Sequence, residues 1–235
     1  LLMIPTWTYV TGDNGIYVNM FVGSTIKVER VVGTNVEMVQ KTDYPWSGDI
    51  SITVNPEKSK EFTLYVRVPN RKTSDLYSPT PQVSGLKSVK LNGQTIDPKI
   101  ENGYAVIRRT WKKGDRVDVV LPMEIQKVTA DQRIEGNRDR VALRYGPLIY
   151  NVEAADQPDI QNKSLGNAPL KLEWRPDFLK GIMAITGKWS DGTPLVAIPN
   201  YARLNRIETT PYPQNEQGGQ QGVRRPTQSM VWIKK

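Results

Sequence analysis

The feature that most constrains this chain is an alternation of apolar and polar residues with a period of two, kept in short runs that turn residues interrupt. GIYVNMF (Gly15 to Phe21), TIKVERV (Thr25 to Val31), Val36 to Gln40, DISITV (Asp49 to Val54), EFTLYVRV (Glu61 to Val68), Lys87 to Leu91, Tyr104 to Arg108 and Arg116 to Leu121 all follow it. Successive side chains of a strand point to opposite faces, so such runs predict strands with one face buried. Asp13-Asn14-Gly15, Asn92-Gly93, Asn102-Gly103 and Lys113-Gly114-Asp115 separate them with residues that tolerate positive φ, as hairpins require. A period of 3.6 is absent, and the opening Leu1 to Tyr9 alone reads as the tail of a helix. The first half therefore predicts an antiparallel β-sandwich.

The second half predicts further strands at Ile125 to Thr129, Arg140 to Tyr145, Leu148 to Glu153, Ala168 to Trp174, Ile182 to Lys188, Pro194 to Pro199 and Ser229 to Lys234. Pro122, which cannot continue a ladder, places the boundary near Leu121-Pro122-Met123. Residues 70–86 combine polar residues and prolines without alternation and read as a long surface loop. The Gln/Gly/Pro content of the insertion near 205–227 buries too little apolar surface to order itself, so this segment is expected to be mobile. The fold class is all-β, with two consecutive antiparallel β-sandwich (jelly-roll-like) domains at 15–123 and 124–235, after a linking segment at 1–14.

Composition removes whole classes of chemistry. With Cys 0 and His 0 the chain offers no thiolate nucleophile, no imidazole base and no Cys/His zinc cluster. The formal net charge of +8 is spread along the chain, at 16 Lys+Arg against 13 Asp+Glu for residues 1–124 and 16 against 11 for the remainder. The basic clusters Arg108-Arg109, Lys112-Lys113 and Arg224-Arg225 are too short to make a nucleic-acid face, so no nucleic-acid partner is expected. Nor is a membrane partner, since no apolar run of about 18 residues occurs.

Carboxylates remain as acids and bases. Glycosidic chemistry would pair two of them roughly 5 to 10 Å apart. Asp43 and Asp49 flank Trp46 in TDYPWSGD, but the bland reading is stronger: Asp43 caps a turn, Pro45 sets φ, Trp46 packs on the sandwich edge and Gly48-Asp49 starts a strand. Tyr44 and Trp46 are the residues of this turn placed to touch a glycan. In DQRIEGNRDR, Asp131, Glu135 and Asp139 are interleaved with Arg133, Arg138 and Arg140, which speaks for ion pairs and against a metal pocket. Arg144-Tyr145-Gly146-Pro147-Leu148 reads as a tight turn without phosphate-loop spacing. Trp7, Trp111, Trp174, Trp189 and Trp232 invite sugar stacking, although Trp111 equally well closes the core. Asn162-Lys163-Ser164 is a formal glycosylation sequon, too short to carry weight.

The order of GIYVNMFVGSTIKV, VQKTDYPWSGDISITV, FTLYVRVP, VKLNGQTI, GYAVIRRTWKKGDRVDVVLPMEIQKV, RDRVALRYGPLIYNVE, LVAIPNYARLNR and SMVWI resembles the C-terminal half of glycoside hydrolase family 127, the β-L-arabinofuranosidase family, over Gly15 to Ile233. TDYPW, RRTWKKGD and RYGPLIY in that order carry the resemblance. Asn200, where the family more often has an aromatic, and the Gln/Gly-rich insertion depart from it. The resemblance implies an N-terminal (α/α)6 barrel that holds the catalytic acid, the cysteines and the zinc, followed by two sandwiches.

On that resemblance, residues 1–14 are the remnant of a linker from the barrel, and no catalytic, metal or cofactor position carries over to this chain. The chain is then expected to be the non-catalytic sandwich region of a glycoside hydrolase acting on L-arabinofuranosyl-type glycans. Its partner is its own upstream barrel, with glycan as a second candidate, zinc belongs to the barrel alone, and the location implied is extracytoplasmic. The alternative from another class is a self-standing carbohydrate-binding module or surface adhesin, which exposed coplanar aromatic rings would favour.

Overall fold

The structure is a computed structural model that describes residues 4–70, 74–205 and 228–235. It divides into two compact units, Leu1–Thr73 with Val83–Glu124, and Ser74–Gln82 with Ile125–Lys235. The insertion expected to be mobile, 205–227, lies outside the described residues apart from Asn205.

In the first unit a short helix, α1 (Ile4–Thr8), precedes β1 (Tyr9–Gly12), β2 (Gly15–Val18), β3 (Ser24–Val31), β4 (Thr34–Thr42), β5 (Asp49–Pro56) and β6 (Lys60–Arg67). The next strand, β7 (Tyr77–Thr80), belongs to the second unit. The first unit resumes with β8 (Ser88–Leu91), β9 (Gln94–Ile96), β10 (Ile100–Glu101), β11 (Tyr104–Trp111) and β12 (Asp115–Val120).

These strands form two sheets, ordered β1-β2-β6-β11-β10 and β3-β4-β5-β12-β8-β9. All pairings are antiparallel except β2 with β6. Alternation decides what each sheet buries: Ile16, Val18, Leu64, Val66, Ile107 and Trp111 of one join Val36, Met38, Ile52, Val54, Val117 and Val119 of the other in a single core cluster. Each fully buried aliphatic side chain contributes about 1.5 to 3 kcal/mol. Two-residue hairpins set the register where the sequence carries Asn-Gly. Asn92 and Gly93 (φ 50° and 84°) join β8 to β9, and Asn102 and Gly103 (φ 49° and 81°) join β10 to β11.

The second unit continues with β13 (Ile125–Ala130), β14 (Arg140–Tyr145), β15 (Leu148–Glu153), β16 (Lys171–Arg175), β17 (Ile182–Lys188), β18 (Pro194–Pro199), β19 (Ser229–Met230) and β20 (Ile233–Lys234). Its nine strands run in the order β16-β17-β18-β15-β14-β13-β7, with β19 paired to β15 and β20 to β14. The predicted strand Ser229 to Lys234 is thus two short ones on different partners. Gln157, outside any strand and buried, holds this unit together through its amide. Its Oε1 accepts the Trp189 indole N–H (3.1 Å) and the Val196 N–H (2.9 Å), and its Nε2 donates to the Val196 carbonyl (2.7 Å).

The segment 70–86 corrects the sequence reading. Tyr77–Thr80 is a strand, antiparallel to β13 with Tyr77 opposite Ala130 and Thr80 opposite Lys127. The Gln126 amide donates to the Pro81 carbonyl (2.7 Å) just beyond it. Its sequence conceals it because Tyr77-Ser78-Pro79-Thr80 shows no alternation and contains a proline; a proline is tolerated on an edge strand, and β7 is at the edge of its sheet.

Candidate functional site

The turn from Asp43 to Asp49 is built by the backbone and by hydroxyls. The Asp43 carbonyl accepts the N–H groups of Trp46 (2.7 Å) and Ser47 (3.2 Å). Side-chain capping comes from Thr42, whose Oγ1 accepts the Tyr44 N–H (3.0 Å) and donates to the Asp49 carbonyl (2.8 Å). The cap is therefore the main chain of Asp43 plus the Thr42 hydroxyl, not the Asp43 carboxylate that the sequence predicts. The Ser47 hydroxyl donates to Asp49 Oδ2 (2.7 Å) and accepts the Asp49 N–H (3.1 Å), which ties that carboxylate to its own turn. Tyr44 precedes a cis peptide to Pro45 and sets its ring edge-on to Phe21 at 5.8 Å. Trp46 is half-buried. Gly48 is required by close approach: a Cβ there would lie 2.2 Å from the Leu121 carbonyl oxygen.

RRTWKKGD closes the other end of the same sandwich. Trp111 is fully buried, stacks on Phe62 with ring centroids 5.7 Å apart, and donates its indole N–H to the Phe62 carbonyl (2.9 Å). Asp115 accepts the Lys112 N–H (2.8 Å) and the Asn92 amide (2.8 Å), and it pairs with Arg109 (3.4 Å). Asn92 in turn accepts the Arg116 N–H (2.8 Å), so two neighbouring hairpin turns are linked through one amide. Burial alone would raise the Asp115 pKa, but the Asn92 and Lys112 donors and the Arg109 charge outweigh it and hold the carboxyl below the ordinary range.

A depressed folded-state pKa makes this contribution complete above the unfolded value of about 3.9 and removes it as pH falls through the lower folded value. Asp115→Ala is accordingly expected to cost about 1 to 3 kcal/mol at neutral pH, because it leaves the Lys112 N–H without its acceptor. Urea midpoints of wild type and variant should converge at acid pH. A constant gap down to the acid end would show that the carboxylate charge is not what holds the turn.

Two acidic residues of DQRIEGNRDR are also locally committed. Asp131 pairs with Arg133 (2.8 Å) and Glu135 with Arg138 (3.3 Å), each within its own turn, as the interleaved sequence implies. Arg140 donates to the Trp232 carbonyl (3.0 Å). Gly146 (φ 55°) and Pro147 make the tight turn between β14 and β15, closed by Arg144 Nε donating to the Gly146 carbonyl (3.0 Å). Among the described residues no three of His, Cys, Asp and Glu converge into a metal-sized cluster. With Cys 0 and His 0 the sequence offers a zinc ion neither thiolate nor imidazole.

The tryptophans do not form one platform. Trp111 and Trp189 are buried, Trp232 stacks on Tyr77 (5.8 Å), and Trp7 and Trp174 are exposed in different units. The aromatic cluster that sequence reasoning missed consists of Tyr17, Tyr65 and Tyr104. Tyr17 and Tyr65 stack at 4.1 Å with an interplanar angle of 4°, and Tyr104 stands edge-on to Tyr17 at 5.2 Å. Tyr17 and Tyr65 each lie between buried residues of their strands, which was the available signal; the adjacency of the three depends on the parallel pairing of β2 with β6 and the antiparallel pairing of β6 with β11.

Comparison with known proteins agrees with this architecture. Residues 15–123 match the family model described as beta-L-arabinofuranosidase, GH127 middle domain. Residues 125–211 match that of the glycoside hydrolase family 127 C-terminal domain. A non-reducing end beta-L-arabinofuranosidase from Bifidobacterium longum subsp. longum is 25% identical over 193 residues, covering 76% of this chain and 26% of that protein. The crystal structure of a GH127 beta-L-arabinofuranosidase from Geobacillus stearothermophilus T6 superposes with a TM-score of 0.78 at 30% identity, covering 98% of this chain and 35% of that one. A second GH127 beta-arabinofuranosidase structure gives a TM-score of 0.79 at 27% identity, with 98% and 36% covered. The chain thus spans between a quarter and about a third of the length of these relatives. With both models in chain order over nearly all of a two-unit β fold, the chain belongs to glycoside hydrolase family 127 and carries its middle and C-terminal domains.

Proposed function

We propose that this chain is the non-catalytic sandwich region of a glycoside hydrolase acting on L-arabinofuranosyl-type glycans, and that it supports a catalytic barrel preceding residue 15. The observation that carries this reading is that the middle and C-terminal family domains together occupy residues 15–123 and 125–211. Side-chain chemistry supports it: the sequence has no thiol and no imidazole, and carboxylates such as Asp49, Asp115, Asp131 and Glu135 serve turns and ion pairs. Zinc and the barrel are then partners of the whole enzyme.

The purified chain should release no measurable product from an aryl β-L-arabinofuranoside under conditions where the polypeptide extended upstream hydrolyses it. Turnover by the chain alone at a comparable rate would sink the proposal. Tyr44 and Trp46 are the glycan contacts this reading adds. Titrating wild type and Trp46→Phe with L-arabinofuranosyl oligosaccharides tests them by tryptophan fluorescence. A saturable change in wild type that is lost in the variant supports the contact, and unchanged emission in both removes it.

A further inference from the structure

The two outer faces of the first sandwich differ in kind. On the six-stranded sheet a transverse row runs Lys27, Glu37, Asn55 across β3, β4 and β5, the polar surface expected of a sheet facing water. On the five-stranded sheet the corresponding row is Val10, Tyr17, Tyr65, Val106 across β1, β2, β6 and β11. Ile16 and Val18 flank Tyr17, and Leu64 and Val66 flank Tyr65; all four are in the core, so the tyrosines point away from it. Tyr104 extends the row, and its hydroxyl donates to Asn19 Oδ1 (2.7 Å). The Asn19 amide donates to the Trp7 carbonyl (3.2 Å), which connects the row to α1. Trp7 is 58% exposed and Val10 44%. An aromatic and apolar row bordered on the same face by Arg67 and the Arg108–Glu61 pair (2.8 Å) has the apolar centre and polar rim of an interaction site.

We infer that this face, from Trp7 and Val10 through Tyr17, Tyr65 and Tyr104 to Val106, is the surface on which the domain preceding the middle domain docks. The inference rests on the accessory role proposed above and names the surface through which it acts. Three observations select that occupant. The matched domain is a middle domain, beginning at residue 15, and this chain covers 35% and 36% of two solved relatives, so most of each relative lies outside the matched part. The strand that leads into residue 15 contributes Val10 to the face itself, and the main chain of the helix before it is tied there through Asn19, the partner of Tyr104.

Ring geometry argues against a sugar. A pyranose or furanose stacks on a flat aromatic face, whereas Tyr17 and Tyr65 present their faces to each other and Arg67 lies over the Tyr104 ring at 5.6 Å. What remains outward is mostly ring edge, which suits close packing against apolar side chains.

Hydroxyl-radical footprinting of this chain and of the gene product extended upstream decides the matter without a variant. Oxidation of Trp7, Tyr17, Tyr65 and Tyr104 should be about fivefold slower in the extended polypeptide, since an interface core excludes water. In the extended polypeptide Val10→Glu should restore part of that oxidation, while Lys27→Glu on the opposite face should not. Equal rates in the two polypeptides overturn the assignment of the face. Protection in this chain alone on adding L-arabinofuranosyl oligosaccharide, or on raising its own concentration, overturns it in favour of a glycan or a second copy. The accessory role fails separately: it is lost if no domain precedes residue 15 in the gene, or if deleting residues 15–235 leaves the melting temperature and hydrolysis of the preceding domain unchanged.

Discussion

Replacing Trp111 with alanine is expected to destabilise the first unit by about 3 to 5 kcal/mol, the range for removing a fully buried large aromatic side chain. Three losses combine. The cavity opens at a residue with no exposed surface, the stacking with Phe62 disappears, and the Phe62 carbonyl loses the indole donor at 2.9 Å. Trp111→Phe keeps most of the ring but not the donor, and should cost about 1 to 2 kcal/mol. Because the chain has two units, a single melting curve need not report one transition.

Hydrogen exchange read by segment avoids that problem. For Trp111→Ala, protection in β6 and β11 should fall by at least about a hundredfold, at 1.4 kcal/mol per factor of ten, while β17 and β18 serve as the comparison in the second unit. A fall of less than about tenfold in β6 and β11 would show that Trp111 fills space without holding the sandwich.

Gly15→Ala is the second large effect, and it arises from backbone. A Cβ on Gly15 would lie 1.9 Å from the Thr63 carbonyl oxygen and 2.8 Å from its carbon. No side-chain rotation relieves a clash with main chain, so the parallel pairing of β2 with β6 must open or shift. We expect a loss of at least about 3 kcal/mol, at the severe end for a single substitution. Gly93→Ala provides the contrast. Its Cβ would meet nothing within 4 Å and the cost is the positive φ of 84° alone, about 1 to 2 kcal/mol. If urea denaturation followed by exchange in β6 gave the two variants equal cost, close approach of β2 to β6 would not be what Gly15 provides.

The motifs that identify the family turn out to be structural. TDYPWSGD is a turn held by the Asp43 carbonyl, the Thr42 hydroxyl and the Gly48 approach to Leu121. RRTWKKGD is a core plug joined to a charged turn through Trp111 and Asp115. Residues of this kind specify a family strongly because each has several geometric obligations to the fold.

Local chemistry made much of this legible in the sequence. Strand alternation announces which residues enter the core, and Asn92-Gly93 and Asn102-Gly103 announce hairpins, because positive φ is a property of the residue at that position. The alternation also marks Tyr17 and Tyr65 as facing away from the core. What it cannot say is that they touch. They are brought together by a parallel register between strands far apart in the chain, and Val10 and Val106 join their row through two further pairings. Tyr77–Thr80 became a strand for the same reason: its order is supplied by β13, a partner distant in sequence, and by nothing in its own residues. Turns and strand faces are decided by single residues and their neighbours, whereas pairing is decided by the lowest free energy of the whole packed sheet. The surface proposed for docking therefore exists only once the tertiary structure has formed.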